Sequence, residues 1–345
     1  MLAPLDDPAL LSRADVSGML GQMASFPSQL RASLSPAVQR GISADKVLIG
    51  GLGGSAMGGD IVAEYMASRS PAPAAVVRDV ALPRWVDRRT LVILISYSGN
   101  TRETLALYEA ARGRAGHITV ITSGGAIARQ AEEAGDELIM VPSGLQPRAA
   151  LGHLLGSAAG VVEAAGLAPM ASEVRALLPA LEALLERLRP KSPVERNVAK
   201  RVAQDLVGSV PFVYAPRSIR SAATRWQTQI NENAKMLCLS GEVPEMDHNQ
   251  IVGWIDGERD RRNRPVVLRP RSESGMSAHI LQTTIDLLAD SGLDPVVVDL
   301  EGETALSSAL QGVMVGDFVS YYLAVLKGVD PLPVPSITEL KRRLG

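Results

Sequence analysis

Over its first half this chain alternates short, unbroken apolar runs with segments of helical period. The runs lie at 47–49, 75–77, 91–95, 118–121 and 138–141. Runs that do not alternate polar with apolar residues suit strands covered on both faces, and helical segments between them call for parallel pairing. The spacing predicts an α/β fold built on a five-stranded, doubly wound parallel sheet flanked by helices. Residues 1–40 read as helical and peripheral. An amphipathic helix is expected after Ser172 as its cap, with Leu177, Leu178, Leu181, Leu184, Leu185 and Leu188 on one stripe. Pro179 would kink it, and Pro190 and Pro193 close it, marking a domain boundary. The second half repeats the plan less clearly, with strands expected at 211–214, 254–255, 266–268 and 296–299. There PVVLRPRSESGMSAHIL (265–281) aligns with LVILISYSGNTRETLAL (91–107) as strand, serines with a glycine, then helix. This reads as an internal duplication.

Two turns carry the first chemical signal. The apolar run 91–95 stops at Ser96, Ser98, Gly99, Asn100 and Thr101. Asn100 with Glu103 forms an N-x-x-E capping pattern, so a helix should start there with the hydroxyls of Ser96, Ser98 and Thr101 at its N-terminus. Free backbone N–H groups and the helix dipole favour an anion at such a place, and a phosphate fits; a plain helix cap fits as well. The run 47–49 ends in Gly50, Gly51, Leu52, Gly53, Gly54 and Ser55, again before a helix. Gly51, Gly53 and Ala56 satisfy the dinucleotide fingerprint, with Asp79 where a ribose-binding acid would lie, so an NAD enzyme competes with a phosphate cradle. No Gly-Lys-Ser/Thr follows, which excludes a Walker loop.

Composition narrows the class. With 345 residues, 46% of them hydrophobic, the chain can bury two cores. A net charge of −2 and short basic clusters at 259–264 and 341–343, flanked by acids, give no general attraction to nucleic acid. Residues 1–45 hold only Arg13, Arg31 and Arg40 as basic residues, against Asp6, Asp7, Asp15 and Asp45, which disfavours a DNA-binding segment. Cys238, the single cysteine, excludes an intramolecular disulfide, and the amino terminus lacks the regions of a secretion signal, so a cytoplasmic protein is expected. The apolar stretch 149–170 contains His153, Glu163 and four glycines, and reads as a buried helix rather than a membrane span.

Acid–base candidates lie further on. WQTQINENAKMLCLSGEVPEMDHNQIVGW (226–254) places Glu232 in a helical stretch and His248 in a loop beside Glu245 and Asp247. A carboxylate and an imidazole can move protons at neutral pH. Pairing of Glu232 with Lys235 on a solvated helix face, and a turn role for His248, are the structural alternatives.

Taken together, GLGGS, SYSGNT, Arg148 in PRAAL, NENAK, PEMDHNQIVGW and the closing GVDPLPVPSITELKRRL resemble the bifunctional phosphoglucose/phosphomannose isomerases, which are built from two sugar isomerase (SIS) domains. The resemblance spans nearly the whole chain. It implies two doubly wound five-stranded domains: SIS domain 1 at 41–170 and SIS domain 2 at 196–330. A helical segment at 1–40, a linker helix at 171–195 and a tail at 331–345 that contributes to the site complete the chain. It also implies metal-independent, cofactor-free interconversion of glucose 6-phosphate and mannose 6-phosphate with fructose 6-phosphate through a cis-enediolate. By motif, Gly54, Ser55, Ser96, Ser98 and Thr101 would hold the substrate phosphate. Glu232 would be the base, Arg148 would stabilise the enediolate, and His248 and Lys341 would open the sugar ring, with His248 reaching a partner subunit's site in a homodimer. On residue type alone, Arg148 also suits a salt bridge and Lys341 a solvated helix end. Histidines 117, 153, 248 and 279 are scattered without the spacing of a two-ligand metal motif. The alternatives are a SIS-type sugar-phosphate sensor without chemistry and the NAD-dependent dehydrogenase; neither nucleic acid nor membrane is an expected partner.

Overall fold

The computed structural model describes residues 4–38, 41–258 and 260–344, so Arg40 and Arg259, at the edges of the basic features noted above, lie outside the described residues. The chain divides into two compact units, Ser25–Glu182 and Met1–Ala24 together with Ala183–Gly345. Two short helices, α1 (Pro8–Ala14) and α2 (Met19–Ala24), come first and belong to the second of these.

In the unit Ser25–Glu182, α3 (Phe26–Ser33) precedes β1 (Lys46–Gly50), α4 (Gly54–Arg69), β2 (Ala74–Val77), β3 (Thr90–Ser96) and α5 (Arg102–Ala111). Then follow β4 (His117–Thr122), α6 (Gly125–Ala134), β5 (Glu137–Met140), α7 (Leu151–Ala164) and α8 (Met170–Leu188), which leads into the other unit. The parallel sheet has the order β2-β1-β3-β4-β5. β3 lies at its centre and is buried along its whole length, which is why 91–95 contains no polar residue. Edge strand β2 is only half-buried. Leu48, Val92, Leu94 and Val120 meet Leu107, Tyr108 and Ile127 in one core; each fully buried aliphatic side chain contributes about 1.5–3 kcal/mol as an upper estimate.

Helix α7 forms 151–164 of the apolar stretch 149–170 and is buried along most of its length. Its glycines at every fourth position explain themselves by close approach. A β-carbon at Gly152 would stand 2.6 Å from the Phe26 carbonyl oxygen, one at Gly156 3.2 Å from that of Leu30, and one at Gly160 2.3 Å from Pro36. Ser172 does not cap α8, which starts at Met170; its hydroxyl donates instead to Glu163 at 2.6 Å.

The other unit contains α9 (Val198–Leu206), β6 (Val210–Pro216), α10 (Arg220–Ala234), β7 (Leu239–Val243), α11 (Gln250–Ile255) and β8 (Asn263–Pro270). It closes with α12 (Gly275–Asp290), β9 (Val296–Leu300), α13 (Ala305–Lys327) and α14 (Pro335–Leu344). Among the described residues its parallel sheet has four strands, ordered β7-β6-β8-β9, where the resemblance implies five. After β9 the chain enters the 23-residue α13 at once, whereas the first sheet gains α6 and β5 before α7. Helix α13 is long and apolar enough to cross a membrane, but 89% of its most apolar window is buried within the protein, and it packs on α10 as α7 packs on α4.

One expected strand is absent here and one unexpected strand is present. Residues 254–255 are not a strand; they end α11, whose first N–H is capped by Asn249 Oδ1 at 2.6 Å. The missed strand is β7, whose Gly241 and polar residues hide it; a β-carbon on Gly241 would stand 2.5 Å from the Tyr214 ring. The amino-terminal segment is tied down by the fully buried Lys200, whose ammonium donates to Asp6 and to the Pro190 carbonyl, both at 2.7 Å. A buried charge persists only with such partners.

Candidate active site

In the order β2-β1-β3-β4-β5 the chain turns one way after β1 and the other way after β3, so the carboxyl ends of these neighbours flank the topological switch point. Both turns singled out in the sequence are there. Ser55 is the second residue of α4 and its Oγ accepts the Tyr97 N–H at 3.2 Å; Ser96, buried, donates to Thr101 Oγ1 at 3.2 Å; Ser98, exposed, accepts the Asn100 N–H at 3.4 Å. Gly99 has φ +67°, and a β-carbon on it would lie 1.7 Å from the Gly124 carbonyl oxygen. Asn100 does not cap α5, whose N-cap is Thr101; its Oδ1 accepts the Ala126 N–H at 2.9 Å in the first turn of α6. The asparagine therefore docks one turn on the next, and leaves the start of α5 to the hydroxyl cluster.

Arg148 belongs to the same unit. It sits on a single 3-10 turn, Pro147–Ala149, with 3% of its surface exposed. A β-carbon on Gly54 would stand 3.0 Å from Arg148 Cα, so glycine at the first position of α4 is what lets the arginine's backbone lie against the cradle. Two residues that sequence reasoning missed hold this turn. The Tyr97 hydroxyl donates to the Pro142 carbonyl and accepts the Leu145 N–H, both at 2.9 Å, which fixes the loop leading to Arg148. The buried Gln29 donates from Nε2 to the Ala149 carbonyl at 2.8 Å and accepts the Gly152 N–H at 3.0 Å and the His153 N–H at 3.3 Å, capping α7. Its only trace in the sequence is a polar residue beside Phe26, Pro27 and Leu30 on the buried face of α3, which Ser33 shares.

In the other unit, Glu232 lies half-buried in the last turn of α10. Its motif neighbours are clamps. Asn231 Oδ1 accepts the Cys238 N–H at 2.8 Å; the fully buried Asn233 donates to Ser320 Oγ on α13 at 2.9 Å; Lys235 donates to the Asp330 and Pro331 carbonyls at 2.7 and 3.1 Å. Upstream, Arg225 forms a buried two-bond pair with Asp317 on α13, at 2.7 and 2.8 Å. Burial pushes the Cys238 thiol up to about 12, so it stays protonated at neutral pH.

His248 is exposed at the end of the 3-10 turn Glu245–His248. Met246 plugs that turn into the core and Asp247 accepts from Thr284 on α12 at 3.0 Å, which leaves the imidazole displayed outward. Burial raises the Asp247 carboxyl, with Thr284 and His248 acting against it. Lys341 is exposed on α14, where neighbouring Arg342 and Arg343 pair with Glu339. Glu232, His248 and Lys341 thus stand on three separate elements of this unit: α10, the turn ahead of α11, and α14. The duplicated switch point, between β6 and β8, is filled by the protein itself: Ser218 donates to the Glu273 carboxylate ahead of α12. An acid there stands in the way of a second anion. No group of three or more His, Cys, Asp or Glu side chains converges among the described residues.

Residues 195–344 match the bacterial phospho-glucose isomerase C-terminal SIS domain and residues 42–146 the SIS domain. A bifunctional phosphoglucose/phosphomannose isomerase of Caldicellulosiruptor bescii is 37% identical over 311 residues, covering 87% of this chain and 90% of that protein. One of Aquifex aeolicus is 36% identical over 299 residues, covering 85% and 88%. The chain belongs to the bifunctional phosphoglucose/phosphomannose isomerase family. It is accordingly an isomerase of two SIS domains. The fold agrees with that of a glucose-6-phosphate isomerase like protein from Thermus thermophilus, with a TM-score of 0.65 at 21% identity over 99% of both chains. Within this family the glycine loop after β1 is part of a SIS domain, and its agreement with a dinucleotide fingerprint is a consequence of the shared strand–turn–helix geometry. Asp79, the candidate ribose ligand, accepts the N–H of its own neighbour Val80 at 2.6 Å.

Proposed function

We propose that the protein interconverts glucose 6-phosphate and mannose 6-phosphate with fructose 6-phosphate by proton transfer, without metal or cofactor. The observation that carries the reading is the hydroxyl cluster of Ser55, Ser96, Ser98 and Thr101 at the switch point, with Gly54 holding Arg148 beside it. Hydroxyls and helix N-termini bind a phosphate dianion without a competing fixed charge. In the proposed cycle His248 and Lys341 move protons at the ring oxygen and the anomeric hydroxyl to open the sugar. Glu232 then takes the proton from C2 and returns it to C1, and the Arg148 guanidinium stabilises the negative charge on the intervening cis-enediolate. A fixed cation aimed at charge that appears only during reaction lowers the barrier without tightening ground-state binding. Rotation about C2–C3 before attack would let one base serve both epimers. Initial rates with each aldose in the presence of excess EDTA test this: turnover of both supports it, and loss of turnover on chelation contradicts the metal-free route.

The exposure of His248 favours its delivery to a partner subunit in a homodimer. Val252 on α11, 58% exposed, and Met276 on α12, 73% exposed, offer apolar surface on the elements adjoining its turn. Mixing Glu232→Gln with His248→Ala checks the arrangement. If His248 acts in trans, mixed dimers contain one site with both wild-type groups and activity returns; no recovery after subunit exchange would place both groups in one chain.

A further inference from the structure

Lys235 occupies the position after α10 with φ 51° and ψ 44°, the left-handed region that helix ends normally give to glycine or asparagine. Among the described residues only Asp294 shares a positive φ without being glycine. A lysine there gives up backbone ease, and its side chain shows what the position gains. The ammonium donates to the Asn233 carbonyl at 3.2 Å, the Asp330 carbonyl at 2.7 Å and the Pro331 carbonyl at 3.1 Å. An ammonium has three protons to donate, so these acceptors use its full capacity. The knot extends further. Lys327, in the last turn of α13, donates to the Lys235 carbonyl at 2.9 Å, and the Asp330 carboxylate accepts from Ser17 at 2.5 Å and from the Leu332 N–H at 3.1 Å. Glu232 lies one helical turn before Lys235, and α14 with Lys341 begins just beyond the 330–331 segment.

We propose that Lys235 is a positioning residue for the isomerisation: its ammonium gathers the carbonyls of 233, 330 and 331 and thereby fixes the end of α10 that carries Glu232 against the segment that leads to Lys341. The inference rests on the proposed roles of those two residues. Three carbonyl dipoles facing one another repel once the cation is gone, so the helix end and the tail segment separate and the carboxylate loses its set place. A displacement near 1 Å at a proton-transferring group is enough to cost about 10²-fold in rate.

Lys235→Gly is the test, because glycine suits the left-handed backbone while the ammonium goes with the rest of the side chain; Lys235→Asn, also tolerant of that conformation, is made beside it. For each, kcat and KM are measured with glucose 6-phosphate alongside wild type and Glu232→Gln, together with the melting temperature. The expected result is kcat lower by about 10–100-fold, KM changed by less than about 3-fold, and Tm within about 4 °C of wild type. Wild-type kcat in both variants, while Glu232→Gln is inactive, overturns the positioning role and leaves the isomerase reading standing. A kcat loss in both variants matched by a collapse of Tm makes Lys235 merely structural and also overturns it. A wild-type protein inactive on sugar phosphates removes the reading on which the inference rests.

Discussion

His153 is the buried histidine whose protonation state the fold controls. Its Nδ1 lies 2.8 Å from Ser33 Oγ across the contact of α7 with α3, and burial lowers its pKa from the ordinary 6.5. The folded state therefore binds a proton less readily than the unfolded chain. Its contribution to stability is full above about pH 6.5 and is lost as pH falls from there through the depressed folded value. A Tm that drops between pH 7 and pH 5, with a smaller drop for His153→Gln, is the expected outcome; equal drops would assign the acid sensitivity elsewhere. Residues of this kind show what a sequence conveys. The hydroxyls of Ser55, Ser96, Ser98 and Thr101 are legible because strand, glycine and helix start follow one another locally. Asn100 misleads, because a cap for its own helix and a tie to the next turn have the same local signature. Asn231, Asn233 and Lys235 stand out only as parts of the NENAK motif, and their clamping partners Cys238, Ser320 and Asp330 are revealed only by folding.

Elements divide along the same line. Central strands such as β3 announce themselves by continuous apolar runs, while edge strand β7, with Gly241 and a polar face, carries no such signal, and α11 imitates a strand with two apolar residues. Helix α7 is legible as buried, yet nothing local reveals that Gln29 on α3 caps it and holds the turn of Arg148. Replacing Gln29 by alanine leaves the Gly152 N–H and the Ala149 carbonyl without that partner in a buried place. A loss of about 1–3 kcal/mol in denaturant unfolding is expected, the usual cost of stranding buried polar groups. A change below about 0.5 kcal/mol, the range of surface substitutions, would mean that the cap is dispensable.

At the scale of the whole molecule, two SIS domains of one plan suit the proposed division of labour. The sheets share the order of their first strands, α4 and α7 correspond to α10 and α13, and yet only the first switch point keeps an open hydroxyl cradle; Glu273 fills the other. In the proposed cycle the second domain instead supplies Glu232 from α10 and His248 from its displayed turn. Glu232 is the group proposed to move the proton. Isomerisation of fructose 6-phosphate in deuterated water, with the aldose product read by proton NMR, tests it most directly. Deuterium at C2 is expected in at least part of the wild-type product, with a rate about 10²–10⁴-fold lower for Glu232→Gln. A product with only protium at C2, or a Glu232→Gln variant that turns over at the wild-type rate, would contradict it.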